Sequence, residues 1–429
     1  MKRKRAGQST QASLDLISDL PKDVMDLIFV RMPIRDAIRT SVLSKKWRYK
    51  WVSIPDVVFD KDSLTEGASE IERAHIVDQV LLHHVGPVCK FSCTSYVLPC
   101  SHIGRWIVFL SRSGIKKLIL LVKFQDAYYD LPSSIFFCQE LHHLKLVNCK
   151  LKVPPMFKGF HNLLVLNLAV YTLEDDITRL ISRCPLLEKL KMDVWCHRHY
   201  RCFNIHAPNL RCLELTAIFE GLSLGSSPLL TNMSIDLCIY YEQRRNLRRG
   251  NICSLNQLIG YSHGIERLAL KGEFLQFLSA DGVPEKLSTT CDHLKYLEIH
   301  INSNSKVILG YLCILRSSPN LKELKIRYIG GGEDLYEEAE LWGGERQFDC
   351  LFSHLQAAEI IDLGTIFGLQ FIRHILSNAP TLKTMKIYTT NNVEDKGISM
   401  FLKEMLRFPR ASSRAEIIYL GHYKEAIER

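Results

Sequence analysis

The sequence has no apolar stretch of about 18 residues, the length a membrane span needs. The nearest candidate, 106–124, is cut by Arg112, Lys116, Lys117 and Lys123, so neither a span nor a membrane partner is expected. A secretory leader is not expected either. The basic run Met1–Arg5 is followed by the polar residues Gly7–Gln11, where such a leader needs an apolar segment. The signatures G-x-x-x-x-G-K-[ST], G-x-G-x-x-G, G-x-S-x-G and H-E-x-x-H are all missing. No cofactor is therefore expected, and no residue is set up as a catalytic group. Charge of one sign is scarce: the net charge is +9, and Lys2, Arg3, Lys4 and Arg5 supply four of those charges. So small an excess argues against a nucleic-acid partner. The 14 cysteines have no regular spacing, and several fall at apolar positions of strand-like segments. They read as reduced, buried thiols rather than a disulfide framework.

What is present begins with length. A chain of 429 residues is too long for one compact core, so several domains or an elongated repeat array are expected. Residues 1–14 read as a disordered basic tail, whose first five residues have the composition of a nuclear localisation signal. Nucleus and cytoplasm are the expected compartments.

Residues 15–55 read as a small three-helix unit. Leu20-Pro21 opens the first helix, with Asp23 favourable near its positive end. Val24, Leu27 and Ile28 form one apolar stripe, and Met25, Phe29 and Met32 form another beside it. Pro33 breaks the helix, and Ile34–Leu43 forms a second. Ser44 is placed to cap a third, with Trp47 and Trp51 on one face. About forty residues are too few to bury so much apolar surface among themselves. Arg31, Arg35, Arg39, Lys45, Lys46, Arg48 and Lys50 rim that surface, which suits an acidic partner protein.

From residue 115 an apolar-x-x-apolar-x-apolar pattern recurs, usually after a proline or a polar turn. It starts at Ile115, Leu141, Leu163, Leu187, Leu210, Leu230, Ile265, Leu294, Leu321, Leu355 and Leu382. The average interval is about 27 residues, inside the range of leucine-rich repeats. The copy Leu141-His-His-Leu144-Lys-Leu146-Val-Asn-Cys149-Lys-Leu151 fits the full repeat signature. Each repeat is a strand plus a return segment, helical in places such as 172–182, and only stacked repeats bury the leucines. The expected fold class is thus α/β, a helical N-terminal unit followed by a parallel-sheet solenoid. Alternation along each strand points Leu144, Leu146, Leu166, Leu168, Leu190, Met192, Leu213 and Leu215 inward. It leaves Lys145, Asn167, Lys191, Asp193, Glu214, Thr216, Asp236, Lys271, Glu298, His300, Lys325, Arg327, Lys386 and Tyr388 on the exposed sheet. Lys191, Asp193, Glu214, Thr216, Glu298, His300, Lys325 and Arg327 are the candidate recognition face, mixed in charge and suited to binding a protein. Apolar Ile119 and Leu121 break the alternation, so the segment 56–114 is expected to cover that strand.

Leu20-Pro21, Ile28, Met32-Pro33, Ser41–Ser44 and Trp47-Arg48-x-x-Trp51 together resemble the plant-type F-box, with Met32 where leucine is usual. Cys350–Ile360, Phe371–Leu376 and Ala379–Ile387 resemble the FBD domain, as does Ser318–Ile326 before it. Most of the chain thereby resembles F-box/FBD/LRR-repeat proteins. The resemblance implies docking through the F-box onto an SKP-type adaptor and, through it, a cullin, in an SCF-type ubiquitin ligase. A protein substrate would be held by the repeats, and ubiquitin transfer would be done by other subunits. Carried over by position, Leu20, Pro21, Ile28, Pro33, Ile34, Val42 and Trp47 are the expected adaptor contacts. The expected boundaries are 15–55 for the F-box, 56–114 for a helical connection, 115–329 for the repeats, 330–345 for an acidic glycine-rich loop and 346–420 for the FBD. A binding scaffold that targets nothing for degradation fits the same residues. A nucleic-acid-binding repeat protein fits them less well, because the exposed face is mixed in charge.

Two further clusters carry residue types capable of chemistry. Cys196-His-Arg-His-Tyr-Arg-Cys202 holds metal-ligating residue types, but at no common zinc spacing, and reads as a polar repeat loop. Arg244, Arg245, Arg248 and Arg249 would share helical faces suited to a polyanion, yet an exposed basic loop explains them as well.

Overall fold

A computed structural model of the chain describes residues 20–43, 45, 47–60, 69–94, 100–122, 128–195, 203–219, 221–225, 227–237, 258, 264–279, 282–302, 305–329, 352–361, 366–389 and 401–422. The basic tail, Ser44, Cys196–Cys202, the four arginines at 244–249 and the glycine-rich segment 330–345 lie outside the described residues. The chain divides into two units, 1–141 and 142–429. Among the described residues no helix is long and apolar enough to cross a membrane.

In the first unit, the Pro21 carbonyl accepts from the amides of Val24 and Met25 and starts α1 (Lys22–Arg31). Pro33 then separates α1 from α2 (Ile34–Arg39), since its ring cannot continue a helix. Among the described residues the expected third α-helix is not formed. Trp47–Tyr49 form turns, and Lys50–Ser53 a single 3₁₀ turn. Trp47 packs onto Phe29, with ring centroids 5.1 Å apart.

After these helices come β1 (Asp56–Phe59), α3 (Glu70–His83), β2 (Lys90–Cys93), α4 (Cys100–Arg112), β3 (Lys117–Leu121) and a two-residue strand, β4 (Tyr129–Asp130). Segment 56–114 is therefore more than a helical connection, because β1, β2 and β3 form a parallel sheet. β2 lies beside β3 in the ladder, and Ile119 and Leu121 are half-buried. A capping box at Ser69 and Glu72 starts α3, each side chain binding the other's amide. Asp78 ties α3 to α4 by accepting from His102, Arg105 and Trp106 at 2.7, 3.1 and 2.7 Å. Partial burial alone would raise its pKa, but the hydrogen bonds from Trp106 and His102 hold it below the ordinary value.

The second unit contains one parallel ladder of eleven strands in chain order: β5 (His143–Lys150), β6 (Val165–Tyr171), β7 (Lys189–Trp195), β9 (Cys212–Ala217), β11 (Asn232–Leu237), β12 (Arg267–Gly272), β13 (Tyr296–Ile301), β14 (Glu323–Tyr328), β15 (Ala357–Ile361), β16 (Thr384–Thr389) and β17 (Glu416–His422). Short β8 (Phe203–Asn204) and β10 (Leu222–Ser223) pair only with each other. Helical returns are α5 (Glu174–Ser182), α6 (Phe274–Leu278), α7 (Ser305–Arg316) and α8 (Ile366–Asn378). A Cβ on Gly310 of α7 would lie 2.5 Å from Ser279 Oγ and 3.1 Å from Leu275 at α6, so the two helices approach closely there and a larger residue would force Ser279 to shift.

All eleven starting positions read from the sequence are buried, and each stands two residues ahead of a strand. Proline makes five of the connecting turns: in Cys184-Pro-Leu-Leu187, Ala207-Pro-Asn-Leu210, Ser227-Pro-Leu-Leu230, Ser318-Pro-Asn-Leu321 and Ala379-Pro-Thr-Leu382 the last amide donates to the first carbonyl. From β6 to β16, one carbonyl immediately ahead of the preceding strand then takes two successive amides. His142 takes Leu164 and Val165, Leu164 takes Glu188 and Lys189, and the device continues to Gln356 with Lys383 and Thr384. This double acceptor fixes the register, and a slip of one residue would turn every buried leucine outward. Leu144, Leu146, Leu166, Leu168, Leu190, Met192, Leu213 and Leu215 are all at most 2% exposed, as alternation requires.

Candidate docking helices and recognition face

The two stripes of α1 have separate fates. Met25 and Phe29 pack inward with Ile34, Ala37 and Trp47, all at most 4% exposed. Val24, Leu27 and Val30 stay open at 41, 63 and 48%, and Val42 and Leu43 at 87 and 67%. Of the seven expected adaptor contacts, Pro21, Pro33 and Val42 are exposed, and Leu20 and Ile28 are half-buried. Ile34 and Trp47 are buried. At 3% exposure each, they hold the helices together from within and have little surface to offer a partner. Leu27 and Leu43 are exposed as well. Leu27 belongs to the stripe the helical spacing defines, and no spacing rule separated its outward side chain from inward Phe29. Exposed Arg31, Arg39, Lys45 and Arg48 accompany the open stripe.

On the second unit, the open face of the sheet is ordered in rows by the parallel register. One row runs Lys145, Asn167, Lys191, Glu214, Ser234, Ala269, Glu298, Lys325, Glu359 and Lys386. Its charges mostly neutralise one another. Lys191 pairs with Glu214 at 2.8 Å, and Lys325 lies 3.7 Å from Glu298 and 3.4 Å from Glu359. Glu298 also receives Lys271 at 3.6 Å and the Tyr296 hydroxyl at 3.1 Å. Burial and that carboxylate push the Tyr296 phenol well above its ordinary pKa, which keeps it a donor.

Among the candidate face residues, Lys191 is exposed, and Asp193, Glu214, Thr216, Glu298, Lys325 and Arg327 are half-buried on this face. His300 differs. It is 9% exposed, and its Nδ1 accepts the Gly272 amide at 2.9 Å. Burial, reinforced by Arg327, pushes its pKa down to about 4, so it is a neutral acceptor inside the fold. Gly272 sits at φ +59°, and a Cβ there would run into the Leu237 carbonyl, so the turn that supplies this amide requires glycine.

Small side chains hollow the face. Where Ser234 and Ala269 replace longer residues, a depression of about 290 Å³ opens, with Glu214, Asn232, Arg267, Lys271, Tyr296 and Glu298 around it. A second, of about 230 Å³, lies over Ala357, between Tyr296, Glu323, Lys325, Glu359, Thr384 and Lys386. The row bearing Arg267, Tyr296 and Glu323 was missed by the sequence reading. It lies one alternation step nearer the turns, and extending the period of two by that step would have found it.

Buried Cys138, Cys149 and Cys184 have thiols pushed up to about 12 by burial, so they stay protonated. Among the described residues no group of three metal-ligating side chains converges.

Three family models match the chain. "F-box domain" covers 17–56, the LRR repeats of "FBD-associated F-box protein At5g56370" cover 103–326, and "FBD" covers 348–387. The FBD match spans β15, α8 and most of β16, one further strand–helix–strand repeat of the same sheet. From Arabidopsis thaliana, F-box/FBD/LRR-repeat protein At1g13570 is 34% identical over 418 residues, spanning 95% of this chain and 99% of that protein. FBD-associated F-box protein At1g66310 is 26% identical over 98% of this chain and 99% of its own length, and F-box/LRR-repeat protein 13 is 24% identical over 95% and 96%. An F-box and leucine-rich repeats together are the parts of a substrate adaptor. With a relative this similar along nearly its whole length, the chain belongs to the F-box/FBD/LRR-repeat protein family.

Proposed function

We propose that this protein is the substrate-recruiting subunit of an SCF-type ubiquitin ligase. The observation that carries the reading is the open apolar stripe of Val24, Leu27, Val30, Val42 and Leu43 within the F-box match, accompanied by exposed basic residues. An SKP-type adaptor with a complementary acidic, apolar surface would cover it, and a cullin would follow through that adaptor. The polar, hollowed sheet face of the second unit then holds a protein substrate. Catalysis would come from other subunits; this chain contributes by holding a lysine near them, which is an effect of proximity. The nucleus and cytoplasm, where such ligases meet their targets, are the proposed compartments.

Co-purification with an SKP-type adaptor tests the reading. The wild-type chain is expected to bind, and Leu27→Asp/Val42→Asp to lose binding while keeping its circular-dichroism spectrum, because both side chains are exposed. A wild-type chain that fails to bind any SKP-type adaptor overturns the proposal.

A further inference from the structure

The row of the open face nearest the strand starts runs Lys189, Cys212, Asn232, Arg267, Tyr296, Glu323, Ala357, Thr384 and Glu416. Unlike those of its neighbour, its charged residues, Lys189, Arg267, Glu323 and Glu416, make no ion pair with one another among the described residues. Arg267 places its guanidinium 3.8 Å from the centroid of the Tyr296 ring, and among the described residues no carboxylate lies within ion-pair distance of it. Stacking leaves the in-plane N–H donors of a guanidinium available, because the ring takes only its face.

The surroundings of Arg267 select for negative charge. Both carboxylates at the rim of the first depression are already held: Glu214 by Lys191, and Glu298 by Lys271, Lys325 and the Tyr296 hydroxyl. The Asn232 amide and the Ser234 hydroxyl stand on the adjacent strand as further donors. Lys189, also exposed and without an ion pair among the described residues, lies three strands away in the same row, roughly 14 Å at the usual strand spacing. That distance is about four residues of extended chain.

We infer that the first depression is the anchor for a carboxylate side chain of an extended acidic segment in the recruited protein, with Arg267 as the anchoring cation and Lys189 as a second contact. Arg267 and the acidic side chain form a charge-assisted pair over a floor of small residues, and the segment crosses the strands along this row. The inference rests on the proposed recruiting function and names the chemistry of what is recruited.

The test probes the purified full chain with a randomised library of ten-residue peptides, alongside Arg267→Glu and Arg267→Lys. Wild type is expected to select Asp and Glu. Arg267→Lys is expected to keep the preference with weaker binding, and Arg267→Glu to replace it with Lys and Arg. A chosen acidic peptide should bind Arg267→Glu at least about tenfold more weakly than wild type, and raising salt should weaken the wild-type complex. Selection without acidic preference, identical selection by wild type and Arg267→Glu, or retention of nucleic acid in place of peptides each overturns the inference. The same proteins are assayed for SKP-type adaptor binding. If that binding persists while the acidic preference is missing, the recruiting function stands and only this inference falls.

Discussion

The α1–α2 helices and the open sheet face solve the problem of an exposed surface in opposite ways. The helices bury one apolar stripe and leave a second one open with basic residues around it, a surface that is costly in water until another protein covers it. The sheet face exposes almost no large apolar side chain between β5 and β16 and ties most of its charges to each other. Such a face is stable uncovered. On the proposed function, the contrast separates a surface built for one constant partner from a surface whose partner is selected by a few unpaired groups.

The contrast is broken most severely from inside the helices. Trp47→Ala removes the ring that packs on Phe29 and is expected to cost about 3–5 kcal/mol in the first unit, read by chemical denaturation. On the sheet side the lever is pH. His300 and His374 are buried and neutral with pKa values pushed down to about 4, whereas in the unfolded chain they titrate near the ordinary 6.5. Unfolding therefore takes up protons between those values, so the stabilising effect of neutral burial is complete above pH 6.5 and lost as pH falls toward 4. His300→Gln preserves an acceptor for the Gly272 amide without titrating, and should flatten part of that fall in a series of melting curves from pH 7 to 4. Smallest of all, Leu27→Asp should change the stability of the isolated chain by less than about 0.5 kcal/mol, since Leu27 touches mainly solvent there. A much larger loss would place Leu27 in the core and end the contrast.

The repeat register was legible because it is written in spacing. Eleven apolar positions each precede a strand by two residues, and prolines set five of the turns. Ile54-Pro-Asp-Val57-Val-Phe59 and Val88-Cys-Lys-Phe91-Ser-Cys93 follow the same pattern and mark β1 and β2. They were overlooked because the surrounding helical stretches drew the segment into the helical class. Fates of individual side chains were less legible. Helical spacing gives Phe29 and Leu27 equal claims to burial, and only the position of Trp47 decides between them. His300 alternates onto the open face as a polar residue should, yet the Gly272 turn closes over it, and such a turn depends on residues 28 positions away.

Hydrogen exchange of the full chain with and without an SKP-type adaptor tests the separation of the two surfaces most directly. The account predicts that exchange slows over Lys22–Arg31 and Thr40–Leu43 and is unchanged across the strands from Lys189 to Thr389. Unchanged exchange in the helices, or slowing spread over the sheet face, would contradict it.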